Sequence, residues 1–297
     1  MKRKKIILWT CDYSEDSGEG ALAKKFINER FDKKKITIIK PQSKNLLSYK
    51  YITPLIGIYN CWKYYIKGHK IGYINYLPLW NFFIFILLPP KTIFGPITGG
   101  SNFTNIINVS NFTRKFIFPL FYKISELFLN IRIKEKQKIF FSTELLKQYL
   151  FNKTIKKSYF NYFFNNFKFY KKIKKKIDFL IYYRTHNNKM SFFNYQLIRK
   201  LIILNYVIVI VGDKLPIKGL KNKGYIKKKQ ILKLQSLSKY TISSGENVNS
   251  LFILESISNH VRILIEKKYI NQVKLFRKYF ISFNPKSFNL TNIKKIR

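Results

Sequence analysis

Acidic residues, cysteine and histidine are scarce in this chain of 297 residues, which holds 14 Asp+Glu, 2 Cys and 3 His against 57 Lys+Arg. Neither Cys11 nor Cys61 stands in a CxxC or a His/Cys ligand spacing, which excludes a disulfide framework or a zinc site as the organising device. A reducing compartment is expected. Long apolar runs are also missing. The most apolar stretch, Leu77 to Leu88, is broken by Pro78 and Asn81 and followed by Pro89-Pro90, short of the roughly 20 apolar residues of a spanning helix. The basic start, Met1 to Lys5, runs into Ile6-Ile7-Leu8-Trp9, too brief for a signal-peptide core, so a cytoplasmic protein is expected.

What is present in excess is positive charge and aromatic surface. The formal net charge of +43 favours phosphate-rich partners such as anionic lipid, nucleic acid or phosphorylated substrates. Charge alone does not choose among them, because Lys, Asn, Ile, Phe and Tyr are abundant together, as codon bias in an AT-rich genome would also make them. With 46% hydrophobic residues, 28 Phe and 21 Tyr, the chain can bury enough apolar area to fold, which excludes a disordered basic tail.

Short apolar runs alternate with longer mixed ones. Lys5 to Thr10, Ile36 to Ile39, Ile71 to Tyr76, Thr92 to Ile97 and Ile139 to Ser142 read as strands. A helix is expected from Asp16-Ser17-Gly18-Glu19, with Asp16 as cap and Glu19 reaching back to it. Residues 156–176 are rich in Lys, Asn, Phe and Tyr without Gly or Pro and form the expected linker between domains at 1–155 and 177–297. The pattern then restarts: strands at Asp178 to Tyr183, Val207 to Val211, Tyr240 to Ser243 and Arg262 to Ile265, with helices near Ser191 to Leu204, Lys228 to Ser238 and from Asn249. Val207-Ile208-Val209-Ile210-Val211 is apolar at every position, as in a parallel strand covered on both faces. Two doubly wound α/β domains follow.

More than half of the 12 glycines sit just after these strands, among them Gly18, Gly99, Gly100, Gly212 and Gly245, where open α/β sheets bind ligands. Arg184 and Lys189 follow the first strand of the second half in an Arg-x4-Lys spacing that suits a diphosphate. Ser243-Ser244-Gly245-Glu246-Asn247 precedes a helix, whose free N–H groups form an anion site. Glu255 lies in the apolar run Leu251 to Ile257, where a carboxylate needs a partner, either a ligand or a nearby lysine.

As a set these residues resemble the retaining GT-B glycosyltransferases often called family 4 or group 1. The resemblance covers the second half from Asp178 to about Lys267. It implies two Rossmann-like domains facing a central cleft, with no cofactor or metal and a nucleoside-diphosphate sugar as donor. Arg184 and Lys189 then hold the diphosphate. Gly212-Asp213 and Gly224-Tyr225-Ile226 match segments around the donor, Tyr225 and Ile226 framing the base. Glu255 looks like the second Glu of the family's Glu-x7-Glu, which binds the ribose hydroxyls. Asn247 occupies the place of the first Glu, and Glu246 stands one residue away, so its role near the transferred sugar departs from the pattern. In the first half, Phe94-Gly95-Pro96-Ile97-Thr98-Gly99-Gly100-Ser101 is similar to the family's Gly-Pro-(Ile/Val)-Gly-Gly-Gly loop; Gly99, Gly100 and Ser101 are expected on the acceptor side, and the turn at Gly18 beside the donor. No Asp-x-Asp occurs, so cationic side chains and helix dipoles are left to neutralise the leaving group.

The acceptor that fits is a glycan or lipid-linked hydroxyl in cell-surface polysaccharide or lipopolysaccharide synthesis. Leu77 to Leu88 with Trp62, Lys63, Lys67 and Lys70 is read either as an apolar and basic face for an anionic membrane or as a buried segment with solvated lysines. Two rivals stay open. One is a basic nucleic-acid-binding protein, for which no recognised motif is present and no specific nucleic acid is expected; the other is a glycosyltransferase that no longer catalyses.

Overall fold

A computed structural model describes residues 5–15, 17–41, 46–99, 112–133, 137–164, 167–185, 193–243, 248 and 250–284, without the side chains of 46–51 and 114. The chain forms two compact units, Met1–Asn165 and Asn166–Arg297.

In the first unit β1 (Ile6–Trp9), α1 (Gly18–Arg30), β2 (Ile36–Ile39), α2 (Leu46–Ile66), β3 (Lys70–Tyr73), α3 (Phe82–Leu87) and β4 (Ile93–Phe94) build a sheet of order β2-β1-β3-β4. Every pairing in it is parallel. Side chains on a strand alternate between faces, and β1 shows why every position is apolar: Ile7 and Trp9 enter one core, Leu8 the other. Next come α4 (Phe118–Arg132), β5 (Ile139–Phe140), α5 (Asn152–Lys156) and β6 (Ser158–Tyr159). Strands β5 and β6 pair in a small separate sheet, joined to the Phe94–Thr98 segment through the Ile97–Phe141 bridge.

The second unit repeats the scheme with β7 (Ile177–Tyr183), α6 (Tyr195–Ile203), β8 (Ile208–Gly212), β9 (Lys221–Asn222), α7 (Lys228–Leu237), β10 (Ser238–Ser243), α8 (Leu251–Ser258), β11 (Arg262–Glu266) and β12 (Phe280–Phe283). Its six strands lie in the order β12-β11-β10-β7-β8-β9, all parallel. Phe179, Ile181, Ile208 and Ile210 fill one core, Leu180, Val209 and Val211 the opposite one. At roughly 1.5–3 kcal/mol per fully buried large apolar side chain, this two-sided burial holds the sheet.

Helix starts follow local capping. The Asn194 side chain accepts from Leu197 N at 2.9 Å and caps α6 at Tyr195; Ser191, where that helix was expected to begin, lies outside the described residues. The Ser17 hydroxyl accepts from Gly20 N at 2.9 Å and is the cap of α1; Asp16, expected in that role, lies outside the described residues. The Leu77 to Leu88 segment divides: Leu77, Leu79, Ile84, Phe85 and Leu88 are core, while Trp80, Phe83 and Leu87 are exposed. Each of the two readings of this segment therefore describes part of it, because α3 packs against α4 along one of its sides.

Candidate functional site

In the second unit the strand order runs outward in both directions from β7 and β10, so the topological switch point falls between them. Ligands of open α/β sheets bind outside the carboxyl ends of the strands there. Arg184 and Thr185 leave the end of β7, and Asp213 leaves the end of its neighbour β8. Gly212 makes this turn with φ of +99°, and a Cβ on it would lie 2.2 Å from Tyr183 O. The chain therefore needs glycine at that corner. Asp213 N then donates to Tyr183 O at 2.9 Å, and Gly212 N to Gly224 O at 3.0 Å, which brings the Gly224–Ile226 segment alongside.

The Asp213 carboxylate accepts from Thr185 N at 2.6 Å, from the Thr185 hydroxyl at 2.8 Å and from the Tyr225 hydroxyl. These donors, Tyr225 foremost, pull its pKa down to about 2. Asp213 is thus a charged anchor and not a proton acceptor near neutral pH. Arg184 is exposed; desolvation disfavours its charge, but Tyr182, Tyr225 and Asp213 outweigh that and raise its pKa. A fixed cation at the switch point suits an anionic group. Ile226, expected to frame a base, packs against the cluster of Leu180, Val209 and Val211.

Glu255 lies on α8, whose cap is the Ser250 hydroxyl accepting from Ile253 N at 3.3 Å. One carboxylate oxygen meets Lys228 Nζ, at the start of α7, at 3.0 Å. Burial pushes the Glu255 carboxyl up, against the pull of the Lys228 ammonium. Lys189, Gly245, Glu246 and Asn247 lie outside the described residues, as do Gly100 and Ser101 of the first unit.

The first unit has a switch point of its own between β1 and β3, and polar groups gather beyond it. Asn75 side chain accepts from Cys11 N at 2.8 Å and donates to Asp12 O at 2.6 Å. Asp12 in turn takes Ser14 N at 2.9 Å and the Ser17 hydroxyl. Gly20 lets α1 approach this knot, since a Cβ there would come within 2.5 Å of Ser14 O. Glu19 accepts a backbone hydrogen bond from Tyr76, and burial, with some help from Asp12, pushes its pKa up to about 7. Its Oε2 is buried without a hydrogen-bond partner. Gly95 also serves packing, because a Cβ there would lie 1.8 Å from Ile74 O. Gly99 has φ of +121°. Gly18 is different: a Cβ on it would meet nothing within 4 Å.

Arg184, Gly212, Asp213 and Tyr225 are thus brought together, with Glu255 held by Lys228. Thr185, Lys228, Asp12, Asn75 and the buried state of Glu19 were not anticipated. Their signal is largely tertiary: Thr185 meets Asp213, Lys228 meets Glu255, Asn75 meets Cys11 and Asp12, and Glu19 meets Tyr76. Among the described residues no three His, Cys, Asp or Glu side chains gather as a set able to hold a metal ion.

No family model and no curated protein matches the chain. An α-glucosyltransferase solved in complex with UDP and a 13-mer DNA containing a HMU base is similar over 99% of this chain and 89% of its own, at 10% identity and a TM-score of 0.53. The glycotransferase of kitacinnamycin aligns over 99% of this chain and 89% of its own, at 8% identity and a TM-score of 0.47. The UDP-GlcNAc 2-epimerase of Methanocaldococcus jannaschii, in complex with UDP-GlcNAc and UDP, covers 98% of this chain and 90% of its own, at 10% identity and 0.47. At such identities likeness speaks of fold, and the first of the three carries it. The chain has the GT-B fold, with two Rossmann-like units of parallel sheet.

Proposed function

We propose that this chain is a glycosyltransferase that moves a sugar from a nucleoside-diphosphate donor to a hydroxyl acceptor with retention of anomeric configuration and without a metal. The observation that carries the reading is the cluster of Arg184, Asp213 and Tyr225 beyond the ends of β7 and β8, beside the switch point of a six-stranded Rossmann-like unit, with Glu255 on α8, the helix after β10. Arg184 and Lys189 neutralise the departing diphosphate. Asp213 holds Tyr225 and the Thr185 turn in place. Glu255 binds the ribose hydroxyls, its carboxylate oriented by Lys228. The acceptor is a glycan or lipid-linked hydroxyl of cell-surface polysaccharide or lipopolysaccharide synthesis.

A second reading keeps the chemistry and changes the acceptor to a hydroxyl on nucleic acid. It is favoured by the net charge of +43 and by the DNA in the similar α-glucosyltransferase complex.

Isothermal titration with UDP, GDP and ADP in about 0.3 M salt, which screens long-range attraction, tests the donor site. One nucleotide is expected to bind saturably, and Glu255→Ala to weaken it roughly 10- to 100-fold, the worth of a charged hydrogen bond. Equal, weak binding of all three that ignores the mutation would refute the reading. Transfer of labelled sugar to lipid-linked glycan or to DNA separates the two acceptors.

A further inference from the structure

The first unit carries an apolar face that its own core leaves uncovered. Along α2, Thr53, Ile58 and Cys61 turn inward, while Ile52, Leu55, Ile56, Tyr59, Trp62 and Ile66 are exposed, Tyr59 at 66% and Ile66 at 78%. These positions recur three and four apart and line one side of the helix. The pattern repeats on α4, where Ser125, Glu126 and Leu129 are buried and Leu120, Leu127 and Ile131 stand 61%, 57% and 70% exposed. Helix α3 joins the two. Exposed Trp62 donates its indole N–H to the carbonyl of Leu87 at 2.7 Å, and exposed Trp80 stacks on Phe118 at 5.2 Å. Scattered exposed apolar residues are ordinary, but α2 and α4 each expose an apolar side and α3 packs against both of them, and such a concentration marks a contact surface.

We propose that this face docks on an anionic lipid membrane. Charge chooses the occupant. Exposed Lys63 and Lys67 sit on the same side of α2, and exposed Lys115 stands one turn ahead of α4. A second copy of a chain of net charge +43 would bring these cations against like charge, whereas an anionic leaflet attracts each of them. Tyr59, Trp62 and Trp80 are of the type that settles at the boundary between headgroups and acyl chains. No described helix is long and apolar enough to cross a membrane; the contact proposed is with the bilayer surface. This inference stands apart from the nucleotide reading, since it uses none of the residues at either switch point.

The test is sedimentation with vesicles of phosphatidylcholine alone and of phosphatidylcholine with about a quarter phosphatidylglycerol, in about 0.3 M salt. The wild-type chain is compared with Leu55→Gln/Ile66→Gln/Leu127→Gln, in which only exposed side chains change, and with Lys63→Gln/Lys67→Gln/Lys115→Gln. Far-UV circular dichroism and urea midpoints confirm that all three are folded. The wild type is expected on the anionic vesicles, with a loss of at least about tenfold in the apolar variant and severalfold in the lysine variant. Failure to bind anionic vesicles, or equal binding by the wild type and the apolar variant, would overturn the proposal. So would a wild-type dimer in light scattering that the apolar variant abolishes, since a second copy would then cover the face.

Discussion

Glu19 offers the sharpest test of the electrostatics at the first unit's switch point. Its carboxyl is pushed up to about 7 from an ordinary 4.5, chiefly by burial, and Oε2 lacks a hydrogen-bond partner. Between these two values the folded chain holds a proton that the unfolded chain has released, so stability falls as pH rises through that window and the loss is complete above it. A difference of this size corresponds to about 3 kcal/mol. Glu19→Gln keeps the shape and the acceptor for the Tyr76 N–H but cannot ionise. Urea unfolding followed by tryptophan fluorescence at pH 5 and pH 8 reads the effect, since Trp9 is buried in the same unit. At pH 5, just above the unfolded-state value, the variant is expected to lead the wild type by no more than about 1 kcal/mol, and at pH 8 by about 3 kcal/mol. A difference that stays flat with pH would refute the reasoning. A variant less stable at pH 8 would mean that Glu19 is held charged by a partner.

Gly95→Ala should cost about 3 kcal/mol or more, because the new methyl would lie 1.8 Å from the Ile74 carbonyl oxygen and backbone must shift; the urea midpoint or the soluble yield reports it. Gly18→Ala, with open space around the site, should leave the midpoint unchanged or slightly raised. Asp213→Asn should weaken nucleotide binding about tenfold by releasing Tyr225 and the Thr185 turn, read by titration calorimetry. Because Asp213 titrates at about 2, it should add no pH dependence to that binding between pH 5 and 8. Glu126→Ala should cost about 1–3 kcal/mol, since buried Glu126 accepts Phe151 N at 2.6 Å and that donor would lose its partner.

The second unit was the more legible half, for a physical reason. Strands covered on both faces are apolar at every position, and the run from Val207 to Val211 shows this without help from tertiary structure; β8 is found at Ile208–Gly212. Strand β9, only Lys221–Asn222, has no such signature because an edge strand two residues long needs no apolar side chains. The spacing placed Arg184 and Asp213 at strand ends, but their partners Thr185 and Tyr225 become visible only when β7 and β8 lie side by side. Glu19 shows a related limit, its expected partner Asp16 lying outside the described residues. A local rule paired it with its own helix cap, whereas in the fold a backbone N–H at Tyr76, brought close by the parallel β1–β3 pairing, takes its carboxyl. Helix α2 shows the limit of periodicity itself. Both of its faces are apolar, so the pattern announces a helix without saying which face turns inward.

Glycine placement shows how far a sequence pattern can carry a site. In the sequence, glycines after strand ends count together as a sign of close ligand approach. In the fold they separate by cause. Gly20, Gly95 and Gly212 are required by the protein's own backbone, with a Cβ falling 2.5 Å or less from a carbonyl oxygen. Gly99 and Gly224 hold positive φ, at +121° and +66°, which side chains rarely adopt. Gly18 has neither constraint: space around it is open and its φ is ordinary. Since glycine costs a helix up to about 1 kcal/mol relative to alanine, nothing in the described fold favours glycine over alanine at Gly18, in the first turn of α1. A donor phosphate or an acceptor passing close to that turn would supply a reason. Gly18→Ala therefore separates the two origins of the pattern, for it should lower activity while leaving stability intact, whereas Gly95→Ala should lower both.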